Sequence, residues 1–204
     1  MGNRKNMCCF PSVEDPLGKD DAFYVCRSVQ GQVLLWGRKG SVFPYSAQVG
    51  PDWYCTVITY GLLIVPSGLF LLNVAADWGW GMLVPGFVLT LALIVTYTFT
   101  ACNNPGIVWR QHEDEEAAGT GTASLIDCGT CKLKRPVTAY HCYDCGVCVE
   151  HLDHHCPWTG KCIGRDNIKY FYAFLSFLGL QILFVIVCTI VSASYGNDVS
   201  SSKD

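Results

Sequence analysis

Three long uncharged apolar stretches, and a 35-residue segment holding seven cysteines and four histidines, predict an α-helical polytopic membrane protein with three spans and a Cys-rich domain of short β-hairpins organised by metal. Half of the 204 residues are hydrophobic and only 15% are charged, and those charges are unevenly spread, unlike the mixture on a soluble domain.

The spans are read at 55–76, 81–102 and 170–195, each of about 20 residues or more without a charge, enough to cross ~30 Å of hydrocarbon. Pro66 and Pro85 lie inside the first two and are tolerated as kinks that neighbouring helices accommodate. Six basic residues precede the first span and seven lie between the second and third, whereas the turn at 77–80 has none. The excess of Lys and Arg therefore places the N-terminal segment (1–54) and the central loop in the cytosol, with the short turn and the tail (196–204) on the lumenal side. Trp53, Tyr54, Trp78, Trp80, Tyr170 and Tyr172 fall where interfacial aromatic belts are expected. No apolar core of a cleavable signal precedes the first span, so that span is expected to direct insertion.

Within the N-terminal segment, 23–49 contains apolar runs broken by Gly31, Gly37, Gly40 and Pro44, a pattern of short strands or a hairpin. Gly2 stands where an N-terminal acyl chain attaches, but Asn6 departs from the Ser/Thr of that motif; Cys8 and Cys9 are candidate S-acylation sites, which would make the chain a lipoprotein. The loop from 103 to 127 opens on the turn signal Asn103-Asn104-Pro105-Gly106 and becomes an acidic, Gly/Thr-rich linker with no expected catalytic role. A net charge of −3, without a basic stripe interleaved with aromatics, excludes nucleic acid as a partner.

The chemistry is concentrated in 128–169. Its order is Cys128-x2-Cys131-x9-His141-Cys142-x2-Cys145-x2-Cys148-x4-Asp153-His154-His155-Cys156-x5-Cys162. In a reducing cytosol such cysteines ligate metal or catalyse, and are not a disulfide framework. A short loop with few apolar residues cannot bury a core, so coordination must supply folding free energy of about 10 kcal/mol or more per structural Zn²⁺. Histidine among the ligands and two-residue spacings favour zinc over iron–sulfur. Two closed tetrahedral sites need eight ligands; six cysteines and two histidines fill them and leave one thiol over. Counting does not say which one, but Cys156, preceded by Asp153, His154 and His155, stands out as activated.

These motifs, with Pro157, Trp158 and Asn167-x3-Phe171, resemble the DHHC family of protein S-acyltransferases (palmitoyltransferases) across about 45 residues. The resemblance implies one structural zinc on Cys128, Cys131, His141 and Cys148, and a second on Cys142, Cys145, His155 and Cys162. It implies Cys156 as the nucleophile that accepts a long-chain acyl group from acyl-CoA and passes it to cysteines of substrate proteins at the cytosolic membrane face. His154 is then the general base, oriented by Asp153. His151 receives no role and is expected on the surface. The implied partners are membrane lipid, acyl-CoA and cysteine-bearing proteins, in the Golgi, ER or plasma membrane. Lys132, Lys134, Arg135, Lys161 and Arg165 are expected as solvated charge within reach of CoA phosphates or anionic lipid.

Typical members have four spans and a Thr-Thr-x-Glu motif after the fourth, whereas this sequence ends at Asp204 after the third. The alternative expectation is accordingly a truncated, non-catalytic, membrane-anchored zinc scaffold. Asn104 stands where the family has Asp, Thr138 where Arg is common, and Lys161 where Asn is common. A RING-type ligase would need a final Cys-x2-Cys pair that Cys162 does not supply.

Overall fold

The computed structural model describes residues 24–29, 32–38, 41–75, 78–109 and 125–201. They divide into two compact units: one of residues through Thr56 together with Phe99–Lys169, the other of Val57–Thr98 and the chain from Tyr170 onward. The candidate lipidation residues Gly2, Cys8 and Cys9, and the acidic part of the linker, lie outside the described residues.

The second unit is helical. Helix α1 (Trp53–Phe70) continues into a π-helical turn at Leu71–Ala75, α2 covers Trp80–Cys102, and α3 covers Ile168–Ser201. Their membrane-competent stretches, Trp53–Ala75, Trp80–Cys102 and Ile168–Ser194, have mean hydropathies of 2.0, 2.0 and 2.6. At 1.5 Å per residue, 23 residues reach about 35 Å, more than the ~30 Å of a bilayer core. The three predicted spans are thus helices of the required length, and α3 continues into the stretch read as a tail. Ile58, Leu62, Leu69, Phe87, Leu183 and Ile190 are exposed on the isolated chain, as expected of helices apolar all round that are covered by lipid.

Polar side chains hold the helices to one another where lipid offers no hydrogen-bond partner. Tyr60 and Thr98 hydroxyls are 2.8 Å apart, and Gln181 Nε2 donates to Thr90 Oγ1 at 3.2 Å. Tyr97 is fully buried, its ring edge-on to Tyr60 at 4.7 Å and tilted against Phe174 at 5.2 Å.

The first unit is built of short antiparallel pairings. Strands β1 (Tyr24–Val29), β2 (Gln32–Gly37) and β3 (Ala47–Val49) form one sheet in sequence order, with a bulge between Leu34 and Trp36. The strands expected in 23–49 are present. Three two-stranded ribbons follow: β4 (Leu125–Cys128) with β5 (Leu133–Pro136), β6 (Ala139–Cys142) with β7 (Val147–Glu150), and β8 (His154–Cys156) with β9 (Lys161–Ile163). Isolated two-stranded ribbons are marginal. Here the β6–β7 and β8–β9 ribbons share a small core of Ile107, Cys142, Cys145, Val147, Val149 and Cys162, in which three of the six members are thiols.

The ribbons are tied to the end of α2. Gly106 O accepts from Glu150 N at 2.8 Å, and Val108 N donates to Cys148 O at 2.9 Å. The turn between them is closed by Asn104, whose Oδ1 accepts from Gly106 N at 2.9 Å and Ile107 N at 3.0 Å. An amide oxygen does here what a carboxylate would do, so Asn at this position keeps the turn. Asn167, fully buried ahead of α3, bonds Cys162 O, Thr100 O and Gly164 N at 3.1, 3.3 and 2.9 Å.

Candidate functional site

The Cys-x2-Cys turns at Cys128–Cys131 and Cys142–Cys145 have the same backbone geometry. Cys131 N lies 3.4 Å from Cys128 Sγ and Cys145 N lies 3.4 Å from Cys142 Sγ. Lys132 N donates to Cys128 O at 2.9 Å and Gly146 N to Cys142 O at 2.8 Å, with left-handed φ of 54° and 69° at Lys132 and Gly146. An amide pointing at the first sulfur favours its thiolate form, the form that binds metal.

Strand alternation then divides the donors into two groups. His141 and Cys142 are successive residues of β6 and point to opposite faces. His141 is paired across the ribbon with Cys148, and in the third ribbon His155 of β8 is paired with Cys162 of β9. The result is one group of Cys128, Cys131, His141 and Cys148 and another of Cys142, Cys145, His155 and Cys162, with the donor atoms of each group within 4.8 Å of one another.

These separations suit zinc. Zn–S bonds of about 2.3 Å and Zn–N bonds of about 2.0 Å in a tetrahedron give donor–donor edges of roughly 3.5–3.8 Å. In the first group His141 Nδ1 is 3.1 Å from Cys131 Sγ and 4.0 Å from Cys148 Sγ, with the two sulfurs 3.7 Å apart. In the second, His155 Nδ1 is 3.7, 3.3 and 4.0 Å from the sulfurs of Cys142, Cys145 and Cys162, and the last two sulfurs are 3.4 Å apart.

Thiols this close cannot all ionise without a cation. The Cys162 thiol is pushed far up, first by its bonds to Cys142 and Cys145, and Cys145 is pushed up to about 12, first by Cys142. Cys142 is driven down by hydrogen bonds from the same two neighbours. In the first group the Cys131 amide draws Cys128 down to about 7, while burial and then Cys128 push Cys148 up. A divalent cation removes the repulsion and lets every sulfur act as thiolate, so the donor chemistry fits zinc in both places.

Cys156 belongs to neither group. It lies on β8 two residues from His154, on the strand face opposite His155, and is buried. Asp153 Oδ2 is 2.7 Å from His154 Nδ1, which places a proton on Nδ1. After Cys156, a 3-10 turn at Pro157–Thr159 ends on Gly160 in the left-handed region at φ 74°. His151 is exposed, with its N–H on Thr138 O at 2.9 Å.

One expectation is overturned. Lys161 is fully buried instead of solvated, its Nζ donating to Gln48 O at 2.8 Å and to Asn103 O. Burial draws its pKa down to about 7, opposed by charge on Cys102, Cys145 and Cys162. The pattern of polar residues around it gave no sign of this, because both acceptors are backbone carbonyls distant in sequence. Arg165 is exposed but engaged, by Glu150 and by Asp166 at 2.8 Å. Sequence reasoning also passed over Asp52, whose Oδ2 lies 2.9 Å from His155 Nε2. Its only local signal was an acidic residue directly ahead of a span.

In the helical unit an apolar cavity of about 230 Å³ is lined by Leu62, Leu63, Pro66 and Ser67 of α1, Leu93 of α2, and Leu178, Ile182, Val185 and Ile186 of α3.

The described residues thus combine three helices long and apolar enough to cross a membrane with a Cys-rich domain holding two four-donor groups that could bind metal and a histidine-flanked thiol outside them. Residues 124–203 match the family model described as DHHC palmitoyltransferase, and the chain carries a domain of that family. Among curated proteins it is 33% identical to protein S-acyltransferase 8 of Arabidopsis thaliana over 172 residues, covering 67% of this chain and 42% of that one. It is 48% identical to human palmitoyltransferase ZDHHC18 over 81 residues, covering 38% and 21% respectively. It is also 28% identical to the probable protein S-acyltransferase 6 of Arabidopsis thaliana over 187 residues, 76% of this chain and 45% of the relative. The chain spans less than half the length of these relatives.

Proposed function

We propose that the protein is an S-acyltransferase that carries a long-chain acyl group on Cys156 between acyl-CoA and the cysteines of other proteins. The observation that supports this most directly is Asp153 Oδ2 at 2.7 Å from His154 Nδ1, on the strand that also carries Cys156.

In the proposed reaction His154 Nε2 takes the Cys156 thiol proton as the sulfur attacks the thioester carbonyl of acyl-CoA. The carbon–sulfur bond to CoA breaks, and the CoA thiolate receives that proton. A substrate cysteine then gives its proton to His154 and attacks the acyl-Cys156 thioester; Cys156 leaves as thiolate and is reprotonated. Asp153 holds the imidazole in the tautomer this requires. Zinc, when bound, supplies structural cross-links in the two four-donor groups, and the thioester exchange is assigned to the chain's own residues. The saturated tail gains about 0.8 kcal/mol per methylene removed from water, which favours its burial in apolar surroundings. The site is assigned to the cytosolic face from the distribution of Lys and Arg along the sequence.

The test is incubation of the purified protein with labelled palmitoyl-CoA, followed by hydroxylamine. Label that is hydroxylamine-labile, stoichiometric and absent from Cys156→Ser is expected. Equal labelling of Cys156→Ser in a background with Cys8 and Cys9 also replaced would reject the assignment.

A further inference from the structure

The metal-site residues proposed from the motif all lie within 128–162, yet the second centre is contacted from more than a hundred residues earlier in the chain. His155 presents Nδ1 to the three sulfurs, at 3.3 to 4.0 Å. Its other nitrogen, Nε2, is 2.9 Å from Asp52 Oδ2, and the two side chains are only 11% and 18% exposed. An imidazole that ligates through Nδ1 carries its proton on Nε2, so this contact is an N–H donated to a carboxylate.

Asp52 is itself held in place. Its N–H donates to Gly160 O at 3.3 Å, its carbonyl accepts from Cys55 N at 2.9 Å in the first turn of α1, and its other carboxylate oxygen accepts from the Tyr54 hydroxyl at 3.4 Å. The segment leading into it lies flush on the β8–β9 ribbon. A Cβ on Gly50 would stand 2.2 Å from Gly160 O, and a Cβ on Gly160 would stand 2.5 Å from Thr56 Oγ1. Two residues before Gly50, Gln48 O receives the buried Lys161 ammonium.

From this we infer that Asp52 is a positioning residue of the second metal centre: its carboxylate fixes the ring orientation and Nε2–H tautomer of His155, and the segment 48–52 is thereby a structural part of that centre. The strand that carries His155, β8, also carries His154 and Cys156. The inference rests on the proposed zinc ligation by His155 and not on the acyl-transfer step.

The experiment measures zinc on the full chain in detergent. Wild type is first shown to hold two zinc ions; fewer than two would remove the ligation reading itself. Release to a chromogenic chelator is then followed in wild type, Asp52→Asn, Asp52→Glu and Asp52→Ala. Loss of an outer-shell partner of a ligating histidine weakens metal binding by about 10- to 100-fold. One of the two ions is therefore expected to leave about 10- to 100-fold faster from Asp52→Asn, with the other unchanged, and Asp52→Glu is expected to recover part of the loss. Cobalt substituted into the slower and faster sites reports the ligand field, and only the band of the faster site should shift in Asp52→Asn. Two ions leaving Asp52→Asn at wild-type rates would overturn the inference. So would equal acceleration of both, which signals general destabilisation; if Asp52→Ala fails to fold, the isosteric Asn variant decides.

Discussion

Replacing Asn167 by alanine tests whether the junction of β9, α2 and α3 is held by one buried amide. Asn167 is fully buried and makes three bonds: Gly164 N to its Oδ1 at 2.9 Å, and its Nδ2 to Cys162 O at 3.1 Å and Thr100 O at 3.3 Å. Truncation leaves one buried N–H unsatisfied and takes a donor from two carbonyls, and each such loss costs about 1–3 kcal/mol when water cannot replace it. Counting the two shorter bonds at the low end of that range, and the longest at about half as much, gives roughly 2.5 kcal/mol, a shift of about 70-fold in the folding equilibrium. Because Cys162 is in the proposed second centre, the loss should appear as zinc released at lower denaturant concentration. The assay is denaturant-induced zinc release from the detergent-solubilised chain, read with a chelating dye and compared with wild type. A midpoint equivalent to within about 0.5 kcal/mol of wild type would refute the reasoning, since a surface amide would behave that way.

Prolonged chelation is expected to unfold the 125–163 ribbons instead of slowing turnover alone, seen as loss of their circular dichroism and protease resistance together with zinc, because closed four-ligand sites supply folding energy. Asp153→Asn should retain two zinc ions yet lower the rate of Cys156 acylation by about 10²- to 10⁴-fold, measured in single-turnover labelling, since the imidazole loses its fixed tautomer. Gly50→Ala puts a methyl 2.2 Å from a carbonyl oxygen that cannot rotate away, so lower thermal stability is expected, whereas a Gly61→Ala control, with open space around it, should be neutral.

What was legible in the sequence was whatever is encoded in contiguous residues. A run of some 20 apolar residues commits itself to a spanning helix without help from the rest of the chain, because lipid demands internal hydrogen bonding. A Cys-x2-Cys turn aims its own amide at its own sulfur, so Cys128, Cys131, Cys142 and Cys145 declared metal chemistry from spacing alone. The surplus thiol was a matter of counting, and the family resemblance, more than any spacing, pointed to the division of the eight donors.

Only the tertiary structure decided matters that depend on which face a strand residue presents and on what distant segment meets it. His154 and His155 are chemically alike and adjacent, yet β8 turns one toward Asp153 and the other toward three sulfurs and Asp52. Lys161 reads as a solvated cation until Gln48 O and Asn103 O, separated from it by 113 and 58 residues, close over its ammonium. A charge is affordable in a protein interior only where such partners converge, and convergence of residues far apart in the chain is a property of the packed fold and not of any local pattern.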